Sequence, residues 1–200
     1  AEGADAVLVH APGYFGPYLP VAALMDYFRA VADESPVPVV IYHIPKYTKV
    51  SLEPGFVGEL ARHQNVVGLK DSSGDMKRFA DYTTVCEKQC SLLVGNGALL
   101  FTALELGAAG GILGVANIAP HLCAEVVRLV REGMSPQAGN VQGRLTPLHK
   151  EIVAAHGGPG CKAALDLLGW AGGDPRPPLR PLSGKERQQV ARVMQEAGLL

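Results

Sequence analysis

An excess of charge of either sign is missing from this 200-residue sequence: 18 Lys and Arg stand against 19 Asp and Glu, a formal net charge of −1. Without a basic field a protein has little to draw in a phosphate backbone or an anionic bilayer, so neither nucleic acid nor membrane is expected as a partner. Long apolar runs are missing too. None approaches the roughly 18 residues of a membrane span. The opening Ala1-Glu2-Gly3-Ala4-Asp5 lacks the charged-then-apolar pattern of a signal peptide, and there is no initiator Met. We therefore expect the chain to begin inside a longer one.

Cysteine is scarce and unpatterned. Cys86, Cys90, Cys123 and Cys161 form no C-x-x-C pair, which points to reduced structural thiols in a reducing compartment. The six histidines offer neither H-x-x-x-H nor H-E-x-x-H, so no metal site is expected. Gly95-Asn96-Gly97 and Gly107-Ala108-Ala109-Gly110-Gly111 lack a G-x-G-x-x-G fingerprint and a P-loop lysine. Tight turns explain them better than phosphate cradles.

The chain does have a regular alternation. Ala4 to His10 reads as a strand, the loop Pro12-Gly13-Tyr14-Phe15-Gly16-Pro17 follows, and Val21 to Ala32 has apolar residues at helical spacing. Strands are expected again at Val37 to Ile44, Asn65 to Lys70, Ser91 to Val94 and Gly110 to Val115. Helices are expected between them at Glu53 to His63, Asp75 to Cys86 and Ala98 to Leu106, then at Pro120 to Arg131. Strands separated by helices imply a parallel sheet. After Gly133 only helices remain: Pro136 to His156, Gly160 to Leu168 and Lys185 to Ala197. This pattern fits an open doubly wound sheet or part of a (β/α)8 barrel, and by itself does not choose between them.

One residue is out of place. In Asn65-Val66-Val67-Gly68-Leu69-Lys70-Asp71 a buried strand ends on a lysine. Alternation puts Gly68 and Lys70 on one face, with Gly68 leaving room beside the lysine stem. An amine desolvated at the carboxyl end of a strand becomes a free nucleophile able to condense with a keto group. The plainer alternative is a snorkelling lysine paired with Asp71. Tyr42 falls at the end of the neighbouring expected strand, where its phenol would meet the amine and pass protons, while Tyr14 and His10 lie within reach of the same rim. Alternatively, Tyr42 is a core tyrosine and Tyr14 a packed loop aromatic.

Three runs at ordered intervals carry a resemblance: Ile41-Tyr42-His43-Ile44-Pro45, Val67-Gly68-Leu69-Lys70-Asp71-Ser72-Ser73-Gly74 and Gly110-Gly111-Ile112-Leu113-Gly114-Val115-Ala116-Asn117. With the tail Gly158 to Leu165 and Pro178 to Leu182, the chain resembles the dihydrodipicolinate synthase/N-acetylneuraminate lyase family of class I pyruvate-type aldolases. The resemblance implies an α/β fold, a (β/α)8 TIM barrel lacking its first strands over 1–133, with a C-terminal helical extension over 134–200. It makes Lys70 the Schiff-base lysine and Tyr42 the proton relay. Tyr14 becomes the tyrosine offered to a neighbouring subunit, Ile112 a backbone carbonyl facing substrate and Gly95 a wall of the site, with Tyr47 and Thr48 beside it.

Two departures stand out. The family's Gly-Thr-Thr-Gly-Glu stretch is absent, and Tyr47 stands where dihydrodipicolinate synthases carry an arginine for the second substrate's carboxylate. Lys46 or Lys49 would replace it only as point charges. The expectation is a lyase closest to 4-hydroxy-2-oxoglutarate aldolase, yielding pyruvate and glyoxylate, with dihydrodipicolinate synthase as the alternative within the class. A catalytically dead barrel fragment serving only in assembly is the alternative outside it. The implied partner is a small 2-oxo acid, the implied cofactor none beyond the imine at Lys70, and the implied assembly a homo-oligomer, dimer or tetramer. The setting is expected to be cytoplasmic, or mitochondrial if a transit peptide precedes Ala1. Five strands would leave an apolar interior uncovered, so on its own the chain is expected to aggregate or stay molten.

Overall fold

The structure is a computed structural model describing residues 3–86 and 90–200, without the side chain of Pro17. Strand β1, Val7–His10, leads through a 3₁₀ turn at Gly13–Tyr18 into helix α1, Val21–Glu34. Then come β2 (Val39–His43), α2 (Pro45–Thr48), α3 (Pro54–Leu60), β3 (Val66–Asp71), α4 (Met76–Val85) and β4 (Ser91–Val94). A 3₁₀ turn at Gly97–Leu99 opens α5, Leu100–Glu105, and β5 is Gly110–Gly111.

The strands form one sheet in the order β1-β2-β3-β4-β5, every neighbouring pair parallel. A doubly wound sheet reverses its strand order at a switch point. Here each new strand adds on the same side as the last, the winding of a (β/α)8 barrel, of which the described residues supply five consecutive strands. Tertiary order thus decides the question that the element pattern left open.

Several expected elements change. The fifth strand does not run from Gly110 to Val115: it is two glycines long, and Gly114–Asn117 turns into a 3₁₀ helix. Glycines have no side chain with which to hold an extended run against its neighbours. The loop expected at Pro12 to Pro17 is largely the 3₁₀ turn, and Pro45 opens the short α2 instead of merely closing β2. Proline at a first turn lacks only an N–H that would be orphaned anyway.

Two compact units divide the described residues. The first runs up to Gly95 and includes Glu105–Gly111, and so holds the whole sheet. Its α4 is capped by Asp75, whose carboxylate accepts from Arg78 N–H at 3.0 Å, satisfying an orphaned donor of the first turn. The helix buries Phe79 and Tyr82.

The second unit is Asn96–Leu104 with Ile112–Leu200. Its α6, Pro120–Arg131, matches the expected span and buries Leu122, Cys123, Val126 and Leu129, an amphipathic stripe. The single helix expected from Pro136 to His156 is instead α7, Ser135–Pro147, and a π-helical turn at Leu148–Ala154. Pro147 cannot donate an N–H to the helical ladder, and the backbone widens just beyond it. Then α8, Ala155–Leu167, starts earlier than expected and kinks at Gly157, whose φ is 60°. Finally α9, Gly184–Glu196, begins with a capping box between Ser183 and Glu186.

Candidate active site

The register of β2 against β3 sets Tyr42 opposite Lys70 and His43 opposite Asp71. Because side chains alternate along a strand, these two rungs point to opposite faces of the sheet. The face with Tyr42 and Lys70 also presents Leu8, His10, Val40 and Leu93, their register partners. Lys70 is only 8% exposed. Its Nζ lies 3.9 Å from the centroid of the Tyr42 ring. The amine therefore meets the face of the ring, whereas the sequence suggested the phenol. A cation over an aromatic face is held by the ring quadrupole, and a neutral amine there is shielded from water.

Gly95 shapes the other side of the lysine. A Cβ built on it would fall 1.8 Å from Ser72 Oγ and 3.1 Å from Lys70 Cε, so only glycine fits. Gly68, expected to make room for the lysine stem, makes room for something else. Its missing Cβ would sit 2.7 Å from the Ser91 carbonyl of β4, so it is the neighbouring backbone that needs the space. Two further bonds carry the ladder beyond the strand ends: Ser72 N–H donates to the His43 carbonyl at 2.8 Å, and Gly95 N–H to the Asp71 carbonyl at 2.7 Å.

Behind the sheet, Asp71 is not paired with Lys70, the plainer possibility raised by the sequence. It accepts from His43 Nδ1 at 2.7 Å, with both side chains 1% exposed. Ser73 adds its backbone N–H at 3.1 Å and its hydroxyl at 2.8 Å. The Tyr82 hydroxyl donates to the Leu52 carbonyl at 2.6 Å and lies 3.2 Å from His43 Nδ1. Burial, and then the negative charge of Asp71, push the Tyr82 phenol well above its ordinary pKa of 10.0. Sequence reasoning missed this cluster. The signal was available: His43 and Asp71 directly follow Tyr42 and Lys70 on strands expected to pair.

At the rim, a cavity of about 380 Å³ is lined by His10, Gly13, Tyr14, Tyr42, Ile44, Tyr47 and Thr48. Tyr14 is 91% and Tyr47 70% exposed. Thr48 is buried, and its hydroxyl donates to the Ile44 carbonyl at 3.2 Å. His10 Nδ1 donates to the Ala11 carbonyl at 2.7 Å. The two cations considered as substitutes for an arginine stay on the α2 turn: Lys49 Nζ donates to the Lys46 carbonyl at 2.8 Å, and Lys46 Nζ lies 5.5 Å from the Tyr47 ring centroid. Ile112 belongs to the second unit, where its side chain is exposed. Thus Lys70, Tyr42 and Gly95 come together, and Tyr14, Tyr47 and Thr48 share the rim cavity with Tyr42. Among the described residues no group of three or more His, Cys, Asp or Glu is placed to hold a metal ion.

A family model described as "Dihydrodipicolinate synthetase family" matches residues 1–197. A 4-hydroxy-tetrahydrodipicolinate synthase of Ruegeria pomeroyi is 37% identical over 201 residues, and one of Archaeoglobus fulgidus 33% identical over 198. In both alignments 99% of this chain and 68% of the relative are covered. The chain thus spans about two thirds of the length of these relatives. The crystal structure of a dihydrodipicolinate synthase from Thermotoga maritima superposes with a TM-score of 0.91 at 27% identity, covering 99% of this chain and 68% of that one.

Proposed function

This chain belongs to the dihydrodipicolinate synthetase family, a family of carbon–carbon lyases, and from that premise we propose that Lys70 forms a Schiff base with pyruvate. The observation that carries the reading is the position of the amine: nearly buried, at the carboxyl end of β3, over the ring of Tyr42. The uncharged amine attacks C2 of the keto acid, and the carbinolamine loses water to leave an iminium ion. Loss of a C3 proton then gives an enamine, with the iminium nitrogen as electron sink. The enamine carbon attacks the aldehyde of the second reactant, and water releases the product and restores the lysine. Because the imine itself accepts the electrons, this reading calls for no metal or organic cofactor.

Tyr42 moves protons to and from the reacting oxygen, and Tyr14 reaches a neighbouring subunit's site in a dimer or tetramer. Exposure of the Tyr14 ring in the single chain supports that role. Gly95 forms the wall beside the lysine, and Tyr47 and Thr48 border the second reactant. Residues 1–133 act as the barrel segment and 134–200 as its helical extension. The relatives are named as 4-hydroxy-tetrahydrodipicolinate synthases, which favours aspartate semialdehyde as the second reactant. Their bacterial and archaeal origin supports a cytoplasmic setting and lends nothing to the mitochondrial alternative.

One observation favours the cleavage reaction instead. The rim cavity is bordered by Tyr47, where a synthase would present an arginine, and among the described residues no lysine or arginine lines it. A carboxylate-bearing aldehyde would find no guanidinium fork there. Cleavage of 4-hydroxy-2-oxoglutarate to pyruvate and glyoxylate is therefore the second reading.

Borohydride reduction in the presence of pyruvate tests the shared chemistry, with an adduct expected at Lys70. An adduct confined to Lys46 or Lys162 would sink the assignment, and no adduct at all would turn attention to an assembly role. Comparing condensation of pyruvate with aspartate semialdehyde against pyruvate release from 4-hydroxy-2-oxoglutarate separates the two readings.

A further inference from the structure

The rung behind the reactive pair is unusual in its chemistry. His43 and Asp71 follow Tyr42 and Lys70 directly, pair with each other in the register, and are shut off from solvent. A buried polar pair costs desolvation that two packed apolar side chains would avoid, and what it offers in return is a defined geometry.

The bond directions here follow from the chemistry of the partners. The carboxylate of Asp71 only accepts, so His43 Nδ1 carries the proton in their 2.7 Å contact. The Tyr82 hydroxyl has given its own proton to the Leu52 carbonyl, so its oxygen is a second, longer acceptor for the same N–H. His43 Nε2 has no hydrogen-bond partner among the described residues. With the ring orientation and the tautomer set, the carboxylate is held by three donors: His43 Nδ1–H, Ser73 N–H and the Ser73 hydroxyl.

The same two residues anchor what flanks the lysine. The His43 carbonyl receives Ser72 N–H and the Asp71 carbonyl receives Gly95 N–H, and Ser72 and Gly95 are packed against each other beside Lys70 Cε. We infer that His43 and Asp71 are positioning residues, a cross-strand clamp behind the sheet that fixes the Tyr42 ring, the Lys70 stem and the Gly95 wall in their reactive arrangement. The inference rests on the proposed chemistry of Lys70, which it deepens. It assigns no proton transfer to the clamp.

The test compares three substitutions. His43→Asn keeps an N–H donor near the place of Nδ1, His43→Leu keeps bulk without a donor, and His43→Gln carries its donor one methylene too far. In each folded variant, checked by circular dichroism and its melt, the rate of pyruvate-dependent borohydride trapping at Lys70 is measured. A misplacement of about 1 Å at a reacting centre costs on the order of 10²-fold. We expect a loss of that order in His43→Leu and His43→Gln, and recovery of most of the rate in His43→Asn. Equal trapping in all folded variants overturns the clamp and leaves His43 a packing residue, as does an Asn variant no better than Gln. If His43→Leu prevents folding, the comparison of Asn with Gln decides.

A second readout needs no recognition of pyruvate. Reductive methylation with formaldehyde reports the accessibility and position of each lysine amine, by mass spectrometry. In His43→Gln the Lys70 rate should change several-fold against Lys46 and Lys162, which serve as internal standards. If the unmodified protein fails to trap pyruvate, the lyase reading falls while this measurement still judges the clamp. An unchanged Lys70 rate then overturns it.

Discussion

The two faces of one sheet treat the same backbone in opposite ways. On the rear face Val39, Ile41, His43, Leu69 and Asp71 are buried, and Tyr82 of α4 reaches down to bond the histidine. On the front face Leu8 is 42% exposed and Val40, Tyr42 and Leu93 are only half-buried. Each fully buried aliphatic side chain contributes about 1.5–3 kcal/mol, so the rear face is where the unit's stability is concentrated. The front face forgoes some of that burial and holds the amine of Lys70, the nucleophile of the proposed chemistry. Alternation along a strand lets neighbouring residues serve both ends: in the arrangement we infer, the rung behind aligns the rung in front.

The largest effect should come from removing the amine. Lys70→Met should abolish pyruvate trapping and turnover while leaving the melt unchanged or raised, since a nearly buried amine has been replaced by an apolar chain of similar length. Adduct formation at another lysine, seen by peptide mass mapping, would break the assignment of chemistry to the front rung. Tyr42→Phe keeps the ring under the amine and removes only the hydroxyl. Turnover should fall by about 10²–10⁴-fold with an unchanged melt. An unaltered rate would make Tyr42 a packing residue.

The rear face should respond in the reverse sense. Phe79, fully buried on α4, supports the layer behind the sheet, and Phe79→Ala should cost about 3–5 kcal/mol. Trapping per folded molecule should survive in that variant, provided His43 and Asp71 stay paired, and its loss would show that the two faces are not separable. Tyr82→Phe removes a bonded hydroxyl and should cost about 1–3 kcal/mol. It should also change the alkaline limb of stability. The folded-state pKa of Tyr82 lies above the unfolded value of 10.0, so the unfolded chain loses the proton first. Stability therefore falls as pH rises past about 10. In the Phe variant that part of the decline should disappear from denaturant titrations.

The smallest effect belongs to the open side. Leu8→Ala, at a half-exposed position on β1, should change stability by no more than about 0.5 kcal/mol. A markedly larger loss would mean that the front face is covered by further protein in solution.

Much of the local structure was legible in the sequence. The strand Ser91–Val94 and the helix Pro120–Arg131 have the spans that alternation, a first-turn proline and helical periodicity imply. Lys70 was legible because a cation at the end of a β-branched run contradicts its surroundings. The short fifth strand was not, since its six residues are strand-like in composition but half glycine. Nor was the π-helical turn: the helical pattern from Pro136 to His156 reads as one helix, and a proline within it does not say how the backbone adjusts.

From its sequence alone, this protein's alternating strands and helices, the buried end of β3 and the family that its motifs resemble were determined, because periodicity, capping and turn chemistry act over a few residues. Three things waited for the tertiary structure. The sequential strand order selects barrel winding over a doubly wound sheet. The amine rests on the face of the Tyr42 ring. Asp71 turns away from Lys70 to a histidine 28 residues earlier. All three depend on register and on side-chain direction between segments distant in the chain, and neighbouring residues in the sequence do not encode these until the strands have paired.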